Sequence, residues 1–166
     1  MSFKKIMTNY AAYNLWVNQQ FVNWLSAKAD ELLHKEVLSS YPSIIKTLNH
    51  IWDTEEYWFS IIAEIPQPER REAVDLNKDE IFEGLLNTST KLAAFITSLS
   101  DEQLLKTIKI ENPWFQCEQP VSDYLLQVVN HGTYHRGQIV TIGRNVGITD
   151  ASNTDYNFYN VVKEKH

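Results

Sequence analysis

The sequence predicts an all-α fold: a four-helix bundle with a small β-hairpin before the fourth helix and a short helix closing the C-terminus. Three observations carry this. Four long stretches repeat apolar residues every three or four positions, the period of a helix with one face in a core. The prolines fall between those stretches or at their openings rather than within them. The 166 residues, 43% of them apolar, are enough for one domain with a complete core, assigned to 1–166.

The first helix is predicted over Phe3–Ala29. Tyr10, Tyr13, Val17, Phe21 and Trp24 mark its inner face, and neither proline nor glycine interrupts it. Asn14 and Asn18 accompany that face; polar groups near a site are one reading, and surface or capping residues the preferred one. Asp30–Ser40 is polar and reads as a connection holding at most a short turn of helix. Pro42 and Ser43 suit the opening of a second helix, which runs to about Ile65, where Pro66 and Pro68 stop it. Ile44, Leu48, Ile51, Phe59 and Ile62 form its apolar stripe.

Gln67–Leu76 is charged and proline-containing, a loop. Asn77 followed by Glu80 has the spacing of a capping box, so a third helix starts there and reaches about Leu99, with Phe82, Leu85, Leu92, Phe95 and Leu99 inward. Lys106–Cys117 changes character. Thr107-Ile108-Lys109-Ile110 is β-branched, Asn112-Pro113 is a turn signal, and Trp114–Cys117 completes a hairpin. Pro120 opens the fourth helix, which ends near Gly143. Asn145–Thr154 is a loop and Asp155–Lys165 a short closing helix.

The fourth helix carries the chemistry. Val121, Tyr124, Val128, His131, His135, Ile139 and Ile142 lie on one stripe, so His131 and His135 stack one turn apart where aliphatic residues normally sit. A core imidazole must have its ring nitrogens satisfied. Two together, without a counter-charge, suit a shared metal ion, and a third ligand is then required. His50 is the best candidate. It lies off the second helix's apolar stripe, on a mixed side with Thr54, Tyr57 and Ile61 and with Asp53 at the shoulder, as a cleft wall would be. Three neutral imidazoles leave coordination positions open, the pattern of catalytic zinc. All-nitrogen ligation suits zinc or nickel, with iron and copper as further options.

Other metal motifs fit worse. No glutamate follows His131, so the His-Glu-x-x-His arrangement lacks its base. Glu31-Leu-Leu-His34 has di-iron spacing but no second copy, so His34 reads as solvent-facing and His166 as the terminus. Tyr134 and Gln138 flank the pair and are candidates to orient a ligand or contact substrate. Asp53 is either a residue behind a ligand or a solvated cap. Arg136 points away from the histidines, to the surface or into an ion pair between helices. Cys117, the only cysteine, excludes an intrachain disulfide and reads as structural rather than reactive.

Composition limits the function classes. A net charge of −6 without a basic cluster speaks against nucleic acid as a partner. The absence of an N-terminal apolar segment, and of any run long enough to span a bilayer, leads to the expectation of a soluble, cytoplasmic protein.

Two blocks, Leu48-Asn49-His50-Ile51 with Asp53 and Val129-Asn130-His131-Gly132-Thr133-Tyr134-His135-Arg136-Gly137-Gln138-Ile139, resemble the DinB family of the DinB/YfiT-like metalloenzyme superfamily. Tyr13-Asn14-Leu15-Trp16-Val17-Asn18 fits the same pattern, and the likeness covers essentially the whole chain. It implies a four-helix bundle, often a homodimer, with one divalent metal on His50, His131 and His135. Better-understood branches of the superfamily resemble metal-dependent thiol transferases or isomerases that use low-molecular-weight thiols such as bacillithiol or mycothiol. The resemblance therefore leads to the expectation of a thiol S-transferase acting on a small-molecule substrate in stress response or detoxification. A metal-dependent hydrolase and a non-catalytic metal-binding stress protein are the alternatives.

Overall fold

A computed structural model describes residues 2–69, 77–113 and 115–163. The elements run α1 (Phe3–Ser26), α2 (Asp30–His34), α3 (Ile44–Ile62), α4 (Lys78–Ser98), α5 (Asp101–Leu105), β1 (Thr107–Glu111), β2 (Gln116–Pro120), α6 (Val121–Val146) and α7 (Tyr156–Lys163). Four long helices pack in a ring: α1 on α4, α4 on α3, α3 on α6 and α6 on α1. This is the expected bundle, and the pair that carries the histidines, α3 and α6, is an adjacent one.

Local signals set most boundaries. The Ser2 side chain accepts from the Lys5 amide at the start of α1, Ser43 accepts from Lys46 at the start of α3, and Asn77 with Glu80 makes the expected capping box on α4. Helix α1 ends at Ser26, three residues before the predicted Ala29, and α2 is the short turn anticipated inside Asp30–Ser40. Helix α3 stops at Ile62, ahead of the prolines, and Glu64 takes a left-handed φ of 53°. A second capping box, Ser100 with Gln103, starts the unpredicted α5.

The hairpin is present, but its second strand lies later than expected. Cα partners run from Thr107 with Pro120 to Glu111 with Gln116, so the 112–115 stretch is the connection rather than the return strand. Asn112 turns the chain by accepting from the Phe115 amide. Helix α6 passes the predicted end at Gly143, which packs within the helix against Trp24 and Ile148. It stops at Gly147, whose φ of 95° suits glycine. Four sequence expectations reach outside the described residues: the 70–76 part of the loop, Trp114 in the hairpin, the last residues of the closing helix and His166.

The core follows the predicted stripes with two exchanges. Ile81 and Ile96 are fully buried in α4, while Phe95 is only partly so. On α1, Val17, Phe21 and Leu25 are buried and Tyr10 is half-exposed. Helix α7 closes the end of the bundle by packing the Tyr159 ring at a tilt against Tyr13 and Trp16, and the Tyr13 hydroxyl donates to the Thr154 carbonyl.

The centre of the bundle is polar. Asn14 and Asn18 are each 1% exposed, which corrects the surface or capping role expected of them. Their amide nitrogens donate to Oε2 of Glu55 at 2.9 and 3.2 Å. Their amide oxygens accept from Nη1 of Arg136 at 3.5 and 2.8 Å. Asn18 uses its second amide hydrogen on Ser89 Oγ, and Arg136 Nη2 donates to Thr133. Arg136 is 3% exposed, so it points away from the histidines as expected but into the core, not to the surface. Gly132 makes this possible, because a Cβ there would lie 2.7 Å from Nη1 of Arg136.

A buried carboxylate and guanidinium are tolerable only as a hydrogen-bonded pair. Removing one leaves the other uncompensated. Arg136→Ala and Glu55→Ala are each expected to lower unfolding free energy by about 3–5 kcal/mol. The double variant should lose less than the sum, as urea denaturation of the four proteins would measure.

Candidate metal centre

Helices α3 and α6 bring the three predicted histidines together. One ligand nitrogen from each of His50, His131 and His135 lies within 4.8 Å of the others. The ring centroids are 4.8 Å apart for His50 and His131, 4.5 Å for His50 and His135, and 4.4 Å for His131 and His135. Nε2 of His50 faces Nε2 of His131 at 3.0 Å. Two nitrogens on a tetrahedral zinc, at Zn–N of about 2.0–2.1 Å, lie about 3.3 Å apart. The His50 and His131 nitrogens thus already stand near the separation a shared cation requires, with a His135 nitrogen within 4.8 Å of both.

The third ring is fixed from behind. Nδ1 of His135 meets Oε1 of Gln138 at 2.8 Å, so Nδ1 carries the hydrogen and Nε2 keeps its lone pair for a ligand. This is the orienting role considered for Gln138. The Gln138 amide nitrogen in turn donates to Ser40 Oγ at 3.4 Å. Tyr134 is 63% exposed and touches His135 only edge-on, at 5.0 Å between centroids. Asp53 stays outside the converging group, accepts from Asn49 at 3.2 Å and stands in the wall of a neighbouring cavity. Cys117 is likewise apart, with Sγ 3.4 Å from the Tyr124 hydroxyl. His34 is exposed.

The cavity has a volume of about 310 Å³ and is lined by His50, Asp53, Thr54 and Tyr57 from α3 and by Gln67, Pro68 and Glu69 from the following loop. The mixed side of α3 read from the sequence is this wall. His135 is buried and His50 and His131 are half-buried, so the triad has a closed and an open side.

A scan against protein-family models matches the DinB family over residues 1–165. The chain belongs to the DinB family. It is 35% identical to Protein DinB of Bacillus subtilis (strain 168), with 89% of each chain covered. Both sequence blocks from which the resemblance was read contribute directly to the cluster, His50 from the first and His131, His135 and Gln138 from the second. No helix among the described residues of this DinB-family chain is long and apolar enough to cross a membrane.

Electrostatics favour metal-binding forms of the histidines. Burial, then neighbouring His135 and Arg136, hold the His131 pKa down at about 4, and burial lowers that of His135 although Gln138 opposes the shift. Both imidazoles are therefore neutral at pH 7, the charge state that ligates a metal.

Two participants were missed by the sequence reading. Glu55 fills the vacant place in the α3 stripe between Ile51 and Phe59, and a charge at a core position is the signal that marks it. Tyr41, in the irregular stretch before α3, lies against His50 with ring centroids 4.0 Å apart. Nothing in its local sequence announces that contact.

The lowered histidine pKa values fix the sign of an acid effect. Between roughly pH 6.5 and 4 the unfolded chain binds more protons than the folded one, so stability falls as pH drops through that window. Burial pushes the Glu55 carboxyl up, which opposes this trend. Metal-free protein should lose several degrees of Tm between pH 7 and 5, and His131→Leu should flatten the loss, as followed by circular dichroism.

Proposed function

We propose that this protein holds one divalent metal ion, zinc or nickel, on His50, His131 and His135 and is a low-molecular-weight-thiol S-transferase of stress response or detoxification. One observation carries the reading: three imidazoles converge beside a cavity of metabolite size, with no carboxylate in the converging group among the described residues. A metal ion bound there supplies Lewis acidity, which favours the thiolate form of a small thiol at neutral pH.

The chain's own residues do the rest. The histidines hold the cation and leave one side of it to an exchangeable ligand. Gln138 fixes the tautomer of His135. Thr54 and Tyr57 line the adjoining space and offer hydroxyls to a polar substrate, while Pro68 covers it from the loop. In the transfer a sulfur–carbon bond forms, the bond from that carbon to its leaving group breaks, and the thiol proton passes to solvent. No protein nucleophile is required, which agrees with Cys117 lying apart from the triad.

The second reading is metal-assisted hydrolysis. It is favoured by Asp53, the one carboxylate on the same helix wall as His50 and a base for an activated water. A metal-binding stress protein without turnover keeps the same ligands and lacks both reactions. Pairing into a homodimer, a cytoplasmic location and the absence of nucleic-acid partners belong to the same proposal.

The readings separate on thiol binding. Cobalt-substituted protein titrated with cysteine or 2-mercaptoethanol should gain a sulfur-to-metal charge-transfer band in the near ultraviolet. His131→Ala and chelator-treated protein should not. Turnover of an electrophile panel above those two controls supports the transferase. Absence of the band with any small thiol overturns it and favours hydrolysis, while the band without turnover favours the non-catalytic protein.

A further inference from the structure

We propose that Tyr41 is a positioning residue of the metal centre, holding the His50 ring in its ligating orientation by stacking on its face; this rests on the metal reading above. The Tyr41 and His50 rings are nearly parallel, at 18°, with centroids 4.0 Å apart. The same tyrosine meets His135 edge-on at 5.5 Å. One side chain from outside the helices thus touches ligands on both of them.

A face-on contact has a chemical merit that a hydrogen bond lacks. It engages the π surface of the imidazole and leaves both ring nitrogens in the ring plane, so Nε2 of His50 stays directed at His131, 3.0 Å away. His135 has Gln138 on Nδ1 to set its rotation. On His50, the half-buried ligand at the edge of the cavity, Tyr41 bears on the ring face and restricts its tilt.

The backbone around Tyr41 is itself tied down. The Val37 amide donates to the Pro42 carbonyl at 2.7 Å and closes the loop. Ser43 caps α3 one residue later, so the loop is continuous with the helix that carries His50. Ser40 accepts from Gln138, which connects this loop to the residue orienting His135. Residues 40 and 41 therefore support two ligands from one short segment, Ser40 through Gln138 and Tyr41 by direct stacking. Residues behind metal ligands commonly change metal affinity by 10–100-fold when removed.

The test compares wild type, Tyr41→Phe and Tyr41→Ala. Zinc affinity is measured by competition with a chromophoric chelator, the ligand field by the visible spectrum of the cobalt form, and the His50 ring protons by NMR of metal-free protein. Tyr41→Ala should bind zinc about tenfold more weakly, shift the cobalt bands and move the His50 resonances downfield as the ring current is lost. Tyr41→Phe keeps the stack and should stay within about twofold of wild type. Far-UV circular dichroism should be the same for all three.

Wild type that binds zinc, together with unchanged affinity in Tyr41→Ala, overturns the role of Tyr41 alone. An equal loss in Tyr41→Phe and Tyr41→Ala also overturns it, because the hydroxyl would then be the active part. Wild type that takes up no zinc overturns the metal reading and this proposal with it.

Discussion

The structure depends on a buried charge pair that does not touch directly. Glu55 and Arg136 are joined through the amides of Asn14 and Asn18, each amide giving its N–H to the carboxylate and taking an N–H from the guanidinium. A side-chain amide can do both at once, because its donor and its acceptor are separate atoms. With Ser89 the network draws a residue from every long helix: two from α1 and one each from α3, α4 and α6. An apolar core tolerates sliding among similar packings, whereas an unmet charge does not. The pair therefore fixes the axial register of α3 against α6. Glu55 is five residues beyond His50, and Arg136 directly follows His135. The register that satisfies the network is the one that sets His50 opposite His131 and His135.

The block His131-Gly132-Thr133-Tyr134-His135-Arg136 consequently serves two faces of one helix. Its histidines turn toward α3 and His50. Gly132 and Arg136 turn toward α1, the glycine omitting the side chain that would collide with the guanidinium. A histidine cluster able to hold a metal on one side and helix registration on the other are encoded in adjacent positions, so a change aimed at one acts on both. The donor set also narrows the chemistry. Neutral nitrogen ligands leave a bound divalent ion with its full charge, which suits an anionic ligand such as a thiolate at the exchangeable side.

Much of this was legible in the sequence because helices translate spacing into direction. Four apolar periodicities gave the bundle, the i,i+4 spacing of His131 and His135 gave two converging rings, and the mixed side of α3 singled out His50 and the cavity wall. What was not legible depends on contacts across the fold. Asn14 and Asn18 have ordinary surface chemistry, and only Glu55 and Arg136 arriving from other helices make their burial favourable. The second strand was placed early because β-branched and aromatic residues suggested strand, whereas pairing runs through the polar Gln116–Pro120 and the turn is set by Asn112. Helix α6 outran Gly143 because that glycine serves close packing, and the left-handed φ that ends the helix falls four residues later. Tyr41 lies in a loop, where periodicity carries no directional information.

The proposed metal centre requires the three imidazoles to hold one ion together. Crystals grown with zinc, measured on both sides of the zinc absorption edge, test this most directly. The predicted result is a single anomalous peak per chain within about 2.0–2.2 Å of one ring nitrogen from each of His50, His131 and His135. No peak among the three rings at saturating zinc, or a peak held instead by His34 or Cys117, would contradict it.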